Sequence, residues 1–112
     1  MALAPNVDVY AAAVVPNAGV SGNLSVNTGH FASAFVRSAA GVVVVSLLAD
    51  QGVDPADRAL LLTPFLNGAG APTFAVIDPA STDTAITVRT FDAAGAPADA
   101  PFAIAVLKKR LG

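Results

Sequence analysis

The sequence predicts an all-β fold, a jelly-roll-like antiparallel β-sandwich of seven or eight short strands in one domain spanning residues 1–112. All eight acidic residues are Asp, and eight Pro and nine Gly accompany them. These residue types favour turns, whereas Glu, the acid that suits helices, is absent. Short apolar segments, several of them alternating with a period of two, lie between the turn residues and are typical of a sandwich or barrel.

The first half of the chain predicts four strands, over residues 7–15, 20–26, 30–40 and 42–48. Residues 30–40 fit a helical face and a strand face, and the β pattern around them favours a strand. Residues 42–48 are the clearest element. Their β-branched run, bounded by Gly41 and Asp50, is typical of a strand buried on both faces.

The second half begins with a single helical turn. Asp54 fits the N-cap, Pro55 the first helical position, and Asp57 supplies an acid in the first turn. Pro64 indicates that the next strand ends there or lies at a sheet edge. The strands predicted after this turn cover residues 60–66, 74–77, 82–91 and 102–107.

Charge is scarce in this chain. Charged residues make up 12% of it and hydrophobic residues 54%, whereas soluble domains usually carry about a quarter charged residues. A membrane span is not expected, because no apolar run approaches the ~20 residues that a transmembrane helix needs. We therefore expect self-association, since large exposed apolar surfaces usually mark interfaces.

Composition also limits the partners and the chemistry. A formal net charge of −2 gives no basic face for nucleic acid, so we expect no nucleic-acid partner. The chain has no cysteine, which excludes disulfides, thiolate metal sites and Cys nucleophiles. No cofactor motif is present, and we expect no cofactor.

Few residues are candidates for catalysis or metal binding. His30 is the only histidine, and the sequence nominates no acid or nucleophile beside it. Asp50, Asp54 and Asp57 cluster around Gly52, but their spacing does not match a calcium loop of the EF-hand type. We expect no catalytic or metal site. A small β-barrel enzyme stays open as an alternative if a buried Asp meets His30 in a pocket.

Glycan or receptor recognition is a second alternative. Sugar sites rely on exposed aromatic rings, and this chain has no Trp and one Tyr, Tyr10. Asn23 begins a glycosylation sequon, a pattern that is common by chance. Recognition through loops leaves no such signature, so a bacterial surface or secreted adhesin, or a carbohydrate-binding module, remains possible.

The stretch from Arg37 to the C-terminus has a characteristic order of pieces. A glycine-led apolar strand is followed by a polar loop, a strand ending in Thr, an alternating strand, a turn with Asp and Gly, and a Phe-containing last strand. These pieces are residues 40–45, 53–55, 60–64, 86–92 and 102–106, with Gly95 and Asp99 in the turn. The order resembles the β-sandwich head domains of phage tail fibres and related trimeric virion proteins. The resemblance implies a homotrimer that acts as a fibre head or capsid decoration on the virion, in contact with other virion structural proteins.

Small apolar residues are the candidates for the interface between copies. We expect packing across a three-fold axis to bury five alanines in the first and last strands: Ala11, Ala12, Ala13, Ala103 and Ala105.

Overall fold

A computed structural model describes residues 7–16, 19–67 and 69–109. Two antiparallel sheets, of four and five strands, pack together, and the predicted β-sandwich is confirmed. The strands of the described residues are β1 (Val7–Val15), β2 (Gly22–Asn23), β3 (Val26–Asn27), β4 (Ala34–Ala39), β5 (Val42–Ser46), β6 (Arg58–Pro64), β7 (Thr73–Ile77), β8 (Ala85–Asp92) and β9 (Phe102–Lys109).

The first and last strands lie together in the middle of the four-stranded sheet, whose order is β3-β1-β9-β6. β1 pairs with β9 along its length, and a β-bulge at Tyr10 shifts the register. The five-stranded sheet has the order β2-β4-β5-β8-β7. Among the described strands, only β4–β5 and β7–β8 are consecutive strands of the same sheet, and every other connection changes sheet. Each sheet therefore depends on strands that are distant in sequence.

The core lies between the two sheets and follows from strand alternation, because successive side chains point to opposite faces. Burial alternates along β8 and β9, and their buried side chains are Ile86, Val88, Thr90, Phe102, Ile104 and Val106. The prediction that residues 42–48 are buried on both faces is wrong: Val43 and Val45 are buried, whereas Val42 and Val44 are partly exposed. The outer face of β5 lies on the outside of the sandwich.

The single strand predicted over residues 20–26 is instead two short strands, β2 and β3, in different sheets. The Leu24 N–H donates to Ser33 O of the segment before β4, and the Ser25 N–H donates to Val14 O of β1. The chain therefore crosses from one sheet to the other within this segment. This split contributes to the difference between the nine described strands and the seven or eight predicted.

The predicted helical turn at Asp54 and the predicted strand end at Pro64 are confirmed. Asp54 caps a single 3₁₀ turn, Pro55–Asp57, by accepting a 2.9 Å hydrogen bond from the Ala56 N–H. Pro64 ends β6, which is an edge strand of its sheet. A proline is tolerated there because no further strand needs its missing N–H.

One end of the sandwich is held by a clamp of Arg37, Asp99 and Gly41. The Arg37 guanidinium donates two 3.0 Å hydrogen bonds to the Asp99 carboxylate, and the Gly41 N–H donates a third at 2.9 Å. Gly41 has φ +70°, and a Cβ there would lie 2.5 Å from Thr90 O. The hydrogen bond and charge of Arg37, with the Gly41 N–H, hold the pKa of Asp99 below its ordinary value against the opposing effect of burial.

Candidate functional site: an apolar groove on the four-stranded sheet

A shallow depression of about 220 Å³ lies on the outer face of the four-stranded sheet. We call it the apolar groove. Its outward side chains are Ala12, Val14, Val26, Leu61, Thr63, Ala103 and Ala105.

Strand register builds this groove. Ala12 of β1 and Leu61 of β6 both lie opposite Ala105 of β9. Val14 and Thr63 likewise flank Ala103, and Val26 extends the first wall beyond Val14. Because directly opposed side chains share a face of the sheet, three alanines form a low floor. Valine forms one wall, and Leu61 and Thr63 form the other.

The five predicted interface alanines divide between the two faces of the sheet. Ala12, Ala103 and Ala105 face outward and form the floor of the groove. Ala11 and Ala13 are 1% and 2% exposed and belong to the core. The side chains of Ala11 and Ala13 are therefore covered within a single copy, and an interface at the five alanines stays a prediction.

The groove can bury apolar surface but has little capacity for chemistry. None of its seven outward side chains is charged, and the Thr63 hydroxyl is the only side-chain polar group among them. Leu61 is 55% exposed and Val26 is 54% exposed. These properties are typical of the centre of a protein–protein interface, where charged residues are depleted.

His30 belongs to a separate cluster at one end of the sandwich. Its Nδ1 lies 2.9 Å from Gln51 Oε1, and its ring stacks on Tyr10 with centroids 4.4 Å apart. The Tyr10 hydroxyl donates to Gln51 Oε1 at 2.9 Å, and Lys108 Nζ lies 4.9 Å from the Tyr10 ring centroid. An amide oxygen can only accept, so His30 Nδ1 donates. The described hydrogen bond of His30 joins it to an amide rather than to the Asp that an acid–base pair requires.

The Asp cluster around Gly52 does not assemble into a ligand set. Asp54 is occupied as an N-cap, and the Asp57 N–H donates to Asp54 O within the turn. Among the described residues, no group of three or more His, Cys, Asp or Glu side chains is placed to hold a metal ion. Asn23, the first residue of the sequon, is exposed on β2.

A second depression, of about 340 Å³, lies between the edges of β6 and β7 and contains Arg58 and Asp78. The Arg58 guanidinium donates to the carbonyl oxygens of Val53, Asp83 and Thr82 at 2.8 to 3.2 Å. Burial lowers the pKa of Arg58 from its ordinary value, although nearby carboxylates oppose this effect. Asp78 accepts hydrogen bonds from the Ala80 N–H and from Arg89, each at 2.8 Å. These charged groups therefore hold loops together.

No family model, no curated protein and no solved structure matches this chain.

Within the described part of the chain, no helix has the length and apolar character needed to cross a membrane.

Proposed function

We propose that this chain is a non-catalytic structural subunit of a virion, which assembles as a homotrimer through the apolar groove. The observation that carries the proposal is the groove itself, an uncharged face of a two-sheet sandwich with half-exposed leucine and valine side chains at its rim. Covering such a face with a second protein surface lowers the free energy, because apolar surface is removed from water.

The energetics of the groove favour contact with other copies. Taking an apolar side chain of this size from full exposure to full burial contributes about 1.5 to 3 kcal/mol. Leu61 and Val26 are 55% and 54% exposed, so covering each of them contributes about half of that. The alanine floor adds little area but lets a partner surface approach closely. Each copy presents the same groove, so a cyclic trimer covers three such faces at once.

The virion location is supported by the sequence resemblance, which covers Arg37 to the C-terminus. Fibre heads and decoration proteins are compact β-sandwiches that act by binding other structural proteins. An all-β sandwich with an uncharged groove on one sheet is consistent with that role, as capsid decoration or fibre head.

Filling the groove tests the trimer. We expect Ala105→Trp to place a bulky ring on the floor and to convert a trimer into a monomer in sedimentation velocity runs. Ala94→Trp is the matched control, because Ala94 is exposed in the turn after β8. The proposal of groove-mediated assembly fails if Ala105→Trp folds and sediments like the unaltered chain.

A separate experiment tests the virion location. An epitope-tagged chain is expressed in the producing cells, and particles are separated on a density gradient. The tagged chain is expected to band with assembled particles. Recovery of the chain solely in particle-free fractions argues against a virion component, whatever its oligomeric state.

A further inference from the structure

The edge strand β7 is open and uncharged. It is the last strand of the five-stranded sheet, and β8 is its pairing partner among the described strands. Phe74 and Val76 point outward and are 54% and 48% exposed. Edge strands in stable monomers are usually guarded by charged residues or proline. β6 carries Arg58 and Pro64, whereas the five residues of β7 include neither.

The backbone of β7 shows which groups face the open edge. The Asp78 N–H donates to Thr87 O at 2.9 Å, and the pairing register continues this ladder along β7. In an antiparallel pair, residues that bond to the partner strand alternate with residues that point away from it. Phe74 and Val76 therefore bond to β8, and Thr73, Ala75 and Ile77 direct their N–H and C=O groups to the open edge.

We propose that β7 pairs with β7 of a second copy of this chain, antiparallel and around a two-fold axis at Ala75. In this register Ala75 lies opposite Ala75 of the second copy, and Thr73 lies opposite Ile77. All the edge-facing backbone groups then pair with one another, because both members of each pair point away from their own β8. The two five-stranded sheets join into one continuous sheet.

The sequence of β7 favours its own copy as the occupant of this edge. The two-fold register places Phe74 opposite Val76 of the second copy on the outer face, and aromatic side chains pair favourably with β-branched ones across strands. No like charges meet within the strand. The flanking Asp78 is already bonded to Arg89 at 2.8 Å. In this register it lies opposite Pro72 of the second copy, so the two Asp78 carboxylates do not face each other.

This interface is independent of the apolar groove, because the two lie on different sheets. A three-fold contact at the groove and a two-fold contact at β7 together link trimers to one another, and the assembly is a hexamer of two trimers when the two axes cross at right angles. The groove variants change the three-fold contact, and β7 variants change the two-fold contact. Failure of one proposal is therefore distinguishable from failure of the other.

Cysteine cross-linking tests the register directly, since the chain has no cysteine of its own. Phe74→Cys and Val76→Cys chains are oxidised separately and as a mixture. The register sets the Cα atoms of positions 74 and 76 about 4.5 Å apart across the axis, within the disulfide range. Two copies of position 74 are separated by roughly 8 Å, from the strand rise and spacing. At least tenfold more cross-linked dimer is expected in the mixture, and equal yields in all three samples overturn the proposal.

Charge pairs provide a second readout with matched controls. Phe74→Lys with Val76→Glu puts opposite charges across the axis, whereas Phe74→Lys with Val76→Lys puts like charges there. Two further variants repeat the comparison: Phe74→Glu with Val76→Lys carries opposite charges across the axis, and Phe74→Glu with Val76→Glu carries like charges. Position 76 lies beside Arg89 of its own copy, so exchanging the charge at position 76 reverses the electrostatic effect of Arg89 within each chain. Sedimentation equilibrium at low salt is expected to show at least tenfold tighter two-fold association for each opposite-charge variant than for the matching like-charge variant. If all four folded variants associate equally, or none does, β7 does not pair with itself in this register.

Discussion

The outer faces of the two sheets differ in one respect that decides which of them is suited to burial. The apolar groove of the four-stranded sheet presents alanine, valine and leucine without a charge. The five-stranded sheet also presents valines, with Val36 and Val44 in a row that continues to Thr87. In the neighbouring row, however, Arg89 is about half exposed and forms a 2.8 Å ion pair with Asp78.

A charged pair on a face raises the cost of covering it, because the ions lose solvation when water is excluded. A partner can therefore cover the groove without this penalty. Covering the five-stranded face would require desolvating the Arg89–Asp78 ion pair. The edge of this sheet at β7 differs from its face, because the proposed β7–β7 contact is made by main-chain N–H and C=O groups and does not cover the ion pair. The two sheets therefore have different expected contacts: the four-stranded sheet through its outer face, and the five-stranded sheet through its edge strand β7.

The largest expected effect comes from placing a charge in the groove. Leu61→Lys is expected to weaken the trimer about a hundred-fold or more. Full burial of a leucine contributes about 1.5 to 3 kcal/mol, and each of the three Leu61 side chains, 55% exposed before assembly, loses about half of that. Val36→Lys makes the same change on the five-stranded face, where Val36 is 54% exposed, and is expected to leave the trimer intact. Light scattering over a dilution series measures both. Equal weakening by the two variants contradicts the difference between the faces.

We expect the clamp of Arg37, Asp99 and Gly41 to contribute to folding stability rather than to assembly, because its hydrogen bonds lie within one chain. Gly41→Ala combines positive φ with a Cβ placed 2.5 Å from Thr90 O, and we expect it to lower the free energy of unfolding by about 3 kcal/mol or more. Gly95→Ala is the control, because Gly95 has φ +86° and no atom within 4 Å of the added Cβ.

For Gly95→Ala the expected loss is about 1 kcal/mol, from backbone strain alone. Urea unfolding of both variants separates the cost of backbone strain, which both positions share, from the cost of the steric clash with Thr90 O, which only Gly41→Ala introduces. Equal losses at the two positions show that the close approach of Gly41 to Thr90 contributes nothing.

Removing the charge from the five-stranded face makes the two faces alike. Arg89→Leu is expected to add larger species to the sedimentation profile, since the face gains apolar area and loses its guanidinium. The cost in folding stability is expected to be small, as is usual for an exposed ion pair. An unchanged profile at high protein concentration indicates that Arg89 does not keep this face free.

The smallest effect concerns pH. The folded state lowers the pKa of Asp99 through Arg37 and the Gly41 N–H. The stabilisation is therefore present above the unfolded-state pKa, about 3.9, and is lost as the pH falls through the folded-state pKa. Asp99→Asn is expected to cost on the order of 1 kcal/mol at pH 6 and progressively less below pH 4. Urea unfolding at pH 6 and pH 3 measures this, and an equal cost at both values argues against a charge effect.

Local sequence patterns were sufficient to predict several elements. Apolar segments and turn residues predicted β1 with the bounds that the structure shows, the capped turn at Asp54, and strands where β8 and β9 lie. The crossing between β2 and β3 depends on hydrogen bonds from Leu24 and Ser25 to two different sheets. Those partners are distant in the chain, so alternation over residues 20–26 could not reveal the split.

The groove was only partly predictable, for a similar reason. Consecutive alanines, Ala11 to Ala13, carry no difference in polarity that tells an inward side chain from an outward one. The assignment depends on pairing with β9, which places Ala12 opposite Ala105. The walls formed by Val14, Val26 and Leu61 also depend on register between strands far apart in sequence. Composition alone did, however, lead to the expectation that some apolar surface is covered by a partner, which stays a prediction.

The mass of the unaltered chain in solution tests the central claim most directly. Light scattering coupled to size exclusion is expected to give three times the 11.1 kDa chain mass, or a larger multiple of three where β7 also pairs. A single 11.1 kDa species that persists at high protein concentration contradicts assembly through the apolar groove.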